Sequence, residues 1–248
     1  MNKPWEVNMS EKDVLRLLDE FKAVMSGHFV YVSTKHGPLY INKDALYPHV
    51  NAAISRICKE MASRFLDVDI DVVIGPEKGG IILATWVAYW LTQMKEEEVL
   101  AVYAERDEQS VFKPKEATTI SLPGASNIEV KAGEELILRH TGFVIKRGQD
   151  QLIKGRKVLV VEDIVNMGET VKKVVALEEP YQFQVVGVAA ICNRGGVTME
   201  DLDVRRFRSL VNVTFEAHAE ADCPQCAKGE PVSTNVGKGQ AFLDRKKG

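Results

Sequence analysis

The sequence has few cysteines, no excess of positive charge and no long apolar run, and each shortage excludes a class of protein. Four cysteines in 248 residues do not supply a disulfide framework and are typical of a reducing compartment. A formal net charge of −3 lacks the basic surplus of a general nucleic-acid binder. The longest apolar-rich run, residues 81–91, is too short to cross a bilayer, and the first residues lack the basic-then-apolar pattern of a signal peptide. We therefore expect a cytoplasmic protein without nucleic-acid or membrane partners.

Apolar residues make up 45% of the chain, which is enough for one full core in a single domain covering residues 1–248. Continuous β-branched runs, typical of strands buried on both faces, alternate with segments of helical periodicity. The expected strands are 69–74, 99–104, 158–161, 183–191 and 207–215, and the expected helices include 11–26, 48–65 and 80–94. This alternation predicts an α/β fold with a doubly wound parallel sheet, in which ligands bind above the carboxyl ends of the strands.

Two segments interrupt this alternation. Residues 28–47 mix polar and aromatic side chains around a turn expected at Gly37 and Pro38, which predicts a small hairpin outside the main sheet. A long polar insertion, residues 106–134, follows the second expected strand. Two short strands, 136–138 and 143–145, are expected to form a hairpin that returns from it. An insertion of this length is usually a lid, a binding loop or a partly disordered segment.

The stretch KVLVVEDIVNMGET, residues 157–170, carries the clearest chemistry. Its apolar run ends in two adjacent acids, Glu162 and Asp163, and a short turn containing Gly168 leads into a helical pattern. Backbone N–H groups in such a turn, together with the positive end of the helix dipole, form a seat for a phosphate group. The two acids add acceptors for sugar hydroxyls or for a bound cation. The alternative is an ordinary buried strand that happens to end in acids.

This stretch resembles the motif by which type I phosphoribosyltransferases bind 5-phosphoribosyl-1-pyrophosphate (PRPP). The resemblance implies that Glu162 and Asp163 bind the ribose hydroxyls. It also implies that a loop surrounds the 5′-phosphate, formed by Asn166, Met167, Gly168, Glu169 and Thr170. Asn166 and Met167 replace the small residues usual in that loop. The implied fold is the doubly wound sheet of this family, with a small hood subdomain (26–47 plus 205–230) and a flexible lid loop (106–134).

A second loop, GPEKGG at residues 75–80, lies between an expected strand and an expected helix. It is either a simple tight connection or, beside the acid pair, the pyrophosphate loop of the family. In the second case the contacts come from Pro76, Glu77, Lys78 and Gly79. The resemblance also places Arg106 on the pyrophosphate oxygens and makes it a catalytic residue together with Glu162 and Asp163. A further cation from the lid, Lys113, Lys115 or Lys131, is left open, and these lysines equally fit a solvated loop.

The base is expected to lie near the hood. The order YAER, long loop, LRHTGF and VLVVED resembles bacterial orotate phosphoribosyltransferases, and STKH at 33–36 with YINK at 40–43 resembles their hood segment. This resemblance puts Lys35 and His36 in the base pocket, although a solvent-facing polar turn is the alternative. Arg194, in the segment NRGG, would hold the carboxylate of orotate, because guanidinium and carboxylate pair through two parallel hydrogen bonds.

The resemblance implies an enzyme that joins a nucleobase to PRPP and releases pyrophosphate, with orotate as the base and orotidine 5′-monophosphate as the product. It implies Mg²⁺ as the cofactor, held by Asp163 only indirectly, through PRPP and water. It also implies a homodimer. Two other functions stay open: a phosphoribosyltransferase for a purine or another base, and a regulator that senses PRPP without turnover.

Cys223 and Cys226 form a lone CxxC motif near the end of the sequence. A structural zinc site needs four ligands, and the chain has no second CxxC. His218 and Cys192 are the candidates that could complete such a site. The sequence favours the alternative, a packing motif of the tail or a redox-labile pair.

Overall fold

The computed structural model describes residues 9–107, 110–120, 127–138 and 142–247. The strands are β1 (Val24–Val30), β2 (His36–Ile41), β3 (Val72–Pro76), β4 (Leu100–Arg106), β5 (Ser110–Phe112), β6 (Thr118–Ile120), β7 (Ile128–Val130), β8 (Leu136–Leu138), β9 (Phe143–Val144), β10 (Lys157–Val165), β11 (Gln184–Asn193) and β12 (Phe207–Asn212). The α-helices are α1 (Glu11–Glu20), α2 (Ser55–Ser63), α3 (Gly79–Lys95), α4 (Gln149–Ile153), α5 (Glu169–Val175), α6 (Glu178–Tyr181), α7 (Met199–Leu202), α8 (Pro224–Ala227) and α9 (Gly239–Lys247).

The central sheet has six strands in the order β12-β11-β10-β3-β4-β9, and its first five strands run parallel. Strand β10 lies in its middle, and its apolar run 158–161 is fully buried. Alternate side chains point to opposite faces: Leu159 packs in the core with α1, α2 and α3, whereas Val158 and Val160 pack with α5. A strand that is covered on both faces needs a continuous apolar sequence. The predicted doubly wound parallel sheet is therefore confirmed.

The N-terminal part differs from the sequence prediction in where α1 ends. The helix begins where it is expected, and Ser10 and Asp13 form a capping box there. The helix, however, ends at Glu20 instead of continuing to Gly27, and the chain turns at Lys22, which has a left-handed φ of 53°. The next residues form β1, so the apolar positions that extended the helical pattern belong to a strand.

Strands β1 and β2 form the predicted hairpin outside the central sheet. Its turn lies at residues 31–35, where the Tyr31 N–H donates to the Lys35 carbonyl, and not at Gly37 and Pro38, which belong to β2. Thr34 takes the left-handed φ of 65° that the turn requires. The predicted position of the turn was wrong because Gly and Pro are frequent in turns but also occur within strands.

The tail of the chain runs back to this hairpin. His36 and His218 exchange two backbone hydrogen bonds of 2.8 and 2.9 Å, and the Ser233 N–H donates to the His28 carbonyl at 2.8 Å. Strand β12, which the sequence analysis grouped with the hood through the range 205–230, lies in the central sheet beside β11. The tail after β12 supplies the contacts with the hairpin.

The described part of the insertion forms two short antiparallel pairs, β5 with β8 and β6 with β7. The expected hairpin of 136–138 with 143–145 is not formed, because β9 instead pairs with β4 at the edge of the central sheet. Phe143 and Ile145 are buried there, so pairing with β4 covers apolar surface and a sheet edge at once. Across the residues that the structure describes, no helix has both the length and the apolar character needed to cross a membrane.

Candidate active site

The carboxyl ends of β3, β4 and β10 meet at one edge of the sheet and surround a cavity of about 260 Å³, which we call the acid-pair cavity. Its walls come from three loops that the sequence analysis selected and from the segment that follows β2. The lining residues include Tyr40, Asn42, Lys43, Pro76, Glu77, Lys78, Gly79, Arg106, Glu162, Asp163 and Thr170. The loops that follow β3, β4 and β10, which carry the candidate residues for PRPP, therefore meet at this edge of the sheet.

The two acids at the end of β10 are buried, with 7% of Glu162 and 3% of Asp163 exposed. Each carboxylate is oriented by the backbone: Glu162 Oε1 accepts from the Asp163 N–H at 3.0 Å, and Asp163 Oδ1 accepts from the Ile164 N–H at 2.7 Å. Tyr47 donates its hydroxyl to Asp163 Oδ2 at 3.1 Å, and the Lys43 ammonium forms an ion pair with the same oxygen. Asp163 is thus held as a paired anion.

The surroundings of the acid pair change the pKa of three side chains in or beside this cavity. Burial, and then repulsion from Asp163, raise the pKa of Glu162 above its ordinary value of 4.5. Burial opposes the charged form of Lys43, but the attraction of Asp163 and Glu162 outweighs it, so that the pKa of Lys43 is raised. Burial and Asp163 also raise the pKa of Tyr47, which stays a hydrogen-bond donor. The cavity therefore contains a carboxyl, Glu162, that holds its proton more tightly than an ordinary glutamate, beside an ion pair between Asp163 and Lys43.

The loop after β3 is tied to β4. The Glu77 N–H donates to the Ala104 carbonyl and the Arg106 N–H donates to Glu77 Oε1, both at 2.9 Å. Helix α3 begins at Gly79, where a Cβ atom would lie only 2.3 Å from the Tyr47 hydroxyl and 2.4 Å from Asp163 Oδ2. Only glycine permits this approach, which brings the first turn of α3 and its N–H groups to the acid pair.

The turn after β10 borders a second cavity of about 230 Å³, lined by residues 164–171, by Glu162 and by Val32 from the hairpin turn. Val32 is 81% exposed, so an apolar side chain of the hood faces the turn across open space. The Asn166 carbonyl packs against Gly195, where a Cβ atom would lie 1.5 Å from its oxygen. This contact joins the turn after β10 to the loop after β11.

Arg194 follows β11, and its guanidinium lies 4.5 Å from the centre of the Tyr31 ring in the hood. Asn193 fixes the loop, because its amide donates to the Val197 carbonyl at 2.9 Å and accepts from the Val197 N–H at 3.1 Å. An aspartate could accept but could not donate, so the asparagine suits this position. The Arg194 N–H donates to the Val165 carbonyl at 2.8 Å, which keeps Arg194 beside the turn after β10.

The other predicted base contacts lie in different surroundings. Lys35 is exposed in the hairpin turn. His36 is fully buried beside His28 and Cys226 and does not line either of the cavities described above. Among the lid lysines, Lys113 pairs with Glu135 at 3.1 Å. In the segment LRHTGF, residues 139–141 lie outside the described part of the chain.

The sequence analysis did not assign a role to Lys43 or Tyr47. Lys43 was noted only as the last residue of the hood segment YINK, and the resemblance of that segment was the one available signal. A lysine or tyrosine beyond a short strand is ordinary in a sequence, and the partner, Asp163, is 120 or 116 positions away. Only the fold shows that both side chains contact the acid pair.

A sheet with this topology, an acid pair at the end of its central strand and two loops beside it is the arrangement of a PRPP-dependent transferase. A family model described as "Phosphoribosyl transferase domain" matches residues 43–222, which is more than half of the chain. The chain therefore belongs to the phosphoribosyltransferase family, as the motif predicted.

Within this family, the chain is similar to orotate phosphoribosyltransferases. The enzyme of Thermoanaerobacter sp. (strain X514) is 33% identical over 228 residues, which cover 90% of this chain and 96% of the relative. That of Thermotoga maritima is 30% identical, with 91% and 98% covered. The solved orotate phosphoribosyltransferase of Mycobacterium tuberculosis H37Rv, in complex with inorganic phosphate, shares the fold with a TM-score of 0.53 at 19% identity, covering 82% of this chain and 95% of that one. The similarity to the orotate-specific members is therefore confirmed along nearly the whole chain.

Proposed function

We propose that this protein transfers the phosphoribosyl group of PRPP to orotate, with release of pyrophosphate and formation of orotidine 5′-monophosphate. The observation that carries the proposal is the acid-pair cavity, where Glu162 and Asp163 meet the loop after β3 and the end of β4. The names of the relatives that match along nearly the whole chain support orotate as the base.

PRPP would lie across the ends of β3 and β10. In the proposal, Glu162 and Asp163 bind the ribose hydroxyls. The turn that surrounds the 5′-phosphate consists of Asn166, Met167, Gly168, Glu169 and Thr170. The pyrophosphate would lie on residues 76–79 and near Arg106, which line the same cavity. The first turn of α3 adds N–H donors there.

Breaking the bond between the anomeric carbon and the pyrophosphate builds positive charge on the ribose and negative charge on the leaving group. Arg106, Lys78 and the N–H groups of α3 would stabilise the leaving group, because fixed donors need no reorganisation as the charge develops. The Asp163 carboxylate, held by Tyr47 and Lys43, would position the sugar. No side chain needs to attack the anomeric carbon.

Mg²⁺ is part of the proposal. The carboxyl groups of Glu162 and Asp163 would lie beside the ribose and the pyrophosphate of PRPP, all of which offer oxygen atoms. Such surroundings suit Mg²⁺, a hard cation that prefers oxygen ligands and keeps several waters. Asp163 would hold it through PRPP and water, and when bound it would offset the negative charge that develops on the leaving pyrophosphate. Lys43 already neutralises part of the negative charge at Asp163.

The base would lie between the hood and the loop after β11. Arg194, which stacks on Tyr31, would pair with the orotate carboxylate, and Lys35 in the hairpin turn would approach the same substrate. His36 leaves the set of proposed base contacts, because it is buried away from the cavities. We further propose a cytoplasmic homodimer in which the insertion 106–134 closes over the site, with one of Lys113, Lys115 and Lys131 adding charge.

The test is a pyrophosphate-release assay with PRPP and Mg²⁺, run in parallel with orotate, uracil, adenine, hypoxanthine and xanthine. We expect turnover with orotate. Arg194→Ala should lose most of the orotate activity but keep its affinity for PRPP, because the acid-pair cavity is unchanged. Arg205→Ala is the matched control, since Arg205 is an exposed arginine before β12.

The other outcomes of this assay separate the alternatives. Turnover with a purine alone would keep the transferase and reject orotate. PRPP binding without turnover on any base would support a regulator that senses PRPP and would reject the enzyme.

A further inference from the structure

Two histidines of the hood and the two cysteines of the tail lie together away from the acid-pair cavity. His28 is in β1, His36 begins β2, Cys223 immediately precedes α8, and Cys226 lies within α8. One ligand atom from each side chain lies within 4.8 Å of all the others. We call these four residues the Cys/His cluster, and we propose that it binds one Zn²⁺ ion that fixes the hood to the tail.

The distances that His28 and Cys226 make within the cluster are close to those between the ligands of a zinc ion. His28 Nε2 lies 2.9 Å from His36 Nδ1 and 3.6 Å from each of the two sulfur atoms, and Cys226 Sγ lies 3.3 Å from His36 Nδ1. Ordinary Zn–N and Zn–S bonds in a tetrahedron separate neighbouring ligand atoms by about 3.3 to 3.8 Å. These four separations lie within about half an ångström of the ordinary values, and all four ligand atoms lie within 4.8 Å of one another.

The hydrogen bonds favour the orientation of His28 that binds a metal. Its Nδ1 lies 2.8 Å from the Glu230 carbonyl, which can only accept, so Nδ1 carries the proton. The lone pair of Nε2 therefore points at the centre of the cluster. A zinc-bound histidine typically donates its second N–H to a carbonyl or a carboxylate in this way.

His36 gives a second indication. Its ring is fully buried, and in the described part of the protein Nε2 has no hydrogen-bond partner. The ring of Phe242 lies 4.8 Å away in an edge-to-face arrangement. With the proton on Nε2, the lone pair of Nδ1 faces His28 Nε2 and Cys226 Sγ, which lie 2.9 and 3.3 Å away.

The ligand set identifies the metal class and the role. Two thiolates and two neutral imidazoles match the tetrahedral coordination of structural zinc, and the two negative charges neutralise the ion in a buried site. Both histidines and Cys223 are buried, with at most 3% of each exposed. Four protein ligands leave no open position for a substrate, so the ion is structural.

The sequence favours a packing motif or a redox-labile pair, and its candidates for completing a zinc site, His218 and Cys192, lie elsewhere. His218 instead lies with its Nε2 3.6 Å from a carboxylate oxygen of Glu216, and Cys192 is buried in β11 in the central sheet. In the sequence, His28 lies 195 positions from Cys223, and His36 lies 190 positions from Cys226. No local spacing motif could therefore reveal the two histidines as ligands.

The ion would hold the ends of the loop that faces the base. His28 and His36 enclose residues 29–35, which include Tyr31, on which Arg194 stacks, and the exposed Lys35. The tail already contacts this region, since the Gln225 side chain donates to the Gly27 carbonyl at 2.6 Å. Loss of zinc should therefore loosen the base side of the site more than the PRPP side.

The first experiment measures metal content on the full chain, purified without chelators and dialysed against metal-free buffer. We expect one equivalent of zinc in the unaltered protein and in Cys58→Ala, whose thiol is buried outside the cluster. Cys226→Ser should lose most of its zinc. A protein that stays free of zinc after incubation with Zn²⁺, or that forms a Cys223–Cys226 disulfide in reducing buffer, would overturn the proposal.

A second measurement does not depend on the folding of a variant. Replacement of zinc by Co²⁺ should give the visible bands of tetrahedral cobalt and the charge-transfer absorption of thiolate ligands, and added Zn²⁺ should abolish both. The spectrum of hydrated octahedral Co²⁺ would contradict the site.

The effect on catalysis rests on the proposed function and is separate. In Cys226→Ser, the KM for orotate should rise several-fold more than the KM for PRPP, whereas Cys58→Ala should change neither. Equal changes in both KM values would reject the link to the base side without affecting the metal measurements.

Discussion

The acid-pair cavity and the Cys/His cluster both bury polar side chains, but they do so in opposite ways. In the cavity, Glu162 and Asp163 repel each other beside an open space, and one lysine compensates only part of their charge. In the cluster, four ligand atoms converge on one point with no substrate-sized space between them. The first arrangement leaves interactions for a ligand that comes and goes, whereas the second suits an ion that stays.

The largest expected effect is the loss of activity when Asp163 is replaced, because this change should affect the acid-pair cavity and leave the Cys/His cluster intact. Asp163→Asn keeps an acceptor for the Ile164 N–H but removes the charge that pairs with Lys43 and that, in our proposal, positions the sugar. We expect kcat/KM to fall by about a hundredfold or more, since single electrostatic contacts at a reacting centre have effects of this size. The zinc content should not change.

Asp69→Asn is the matched control for this variant. Asp69 is exposed and forms an ion pair with Lys157, at the opposite end of β10 from the acid pair. Its replacement should leave kcat/KM close to that of the unaltered protein. If the two variants lose the same activity, the acids at the end of β10 have no special role and the comparison fails.

Asn193 is a buried polar residue that belongs to neither the acid-pair cavity nor the Cys/His cluster, and its replacement serves as the next test. Its amide both donates to and accepts from Val197, and Asn193→Asp would place a carboxylate against the Val197 carbonyl. We expect the free energy of unfolding to fall by about 1 to 3 kcal/mol, the usual effect of an unsatisfied buried group. Urea denaturation measures this change.

The same variant should also weaken orotate binding through displacement of Arg194, while zinc content stays constant. Unchanged stability would mean that the loop after β11 relaxes freely and does not hold Arg194 in place.

The smallest expected effect is a change in the pH dependence of stability. Because the pKa of Glu162 is raised in the folded protein, folding retains a proton that the unfolded chain releases above its ordinary value of 4.5. The favourable contribution of this group is therefore complete below that value and is lost as the pH rises through the folded pKa. The unaltered protein should lose stability relative to Glu162→Gln over this interval, by at most on the order of 1 kcal/mol for each pH unit.

Denaturant unfolding at several pH values, without PRPP or Mg²⁺, compares the two proteins. Parallel pH profiles of the unaltered protein and Glu162→Gln would show that Glu162 is ionised like an exposed carboxyl. The acid pair would then carry no unfavourable repulsion in the folded protein, and the contrast with the Cys/His cluster would be lost.

Features that depend on contiguous residues could be predicted from the sequence. The apolar run 158–161 could belong only to a strand covered on both faces, and parallel strands bring their carboxyl ends to one edge. The positions of residues 76–79, Arg106, Glu162 and Asp163 around one cavity follow from these two facts.

Features that depend on distant partners could not be predicted. Helix α1 ends early because residues 24–30 pair with β2, and β9 joins β4 because the sheet edge there is free to receive it. Lys43 and His28 gain their roles only through residues more than a hundred positions away. Local patterns of charge and apolarity carry no information about such pairs.

The return of the tail to the hood also sets an order of assembly during synthesis. A ribosome releases β1 and β2 before any strand of the central sheet, but the segments that pair with them, from His218 to Lys238, emerge only after β12. Chains fold progressively from the N-terminus as they are made. His28 and His36 of the nascent hairpin therefore remain without the two cysteines until translation has passed Cys226, and the hood is among the last parts of the protein to be completed.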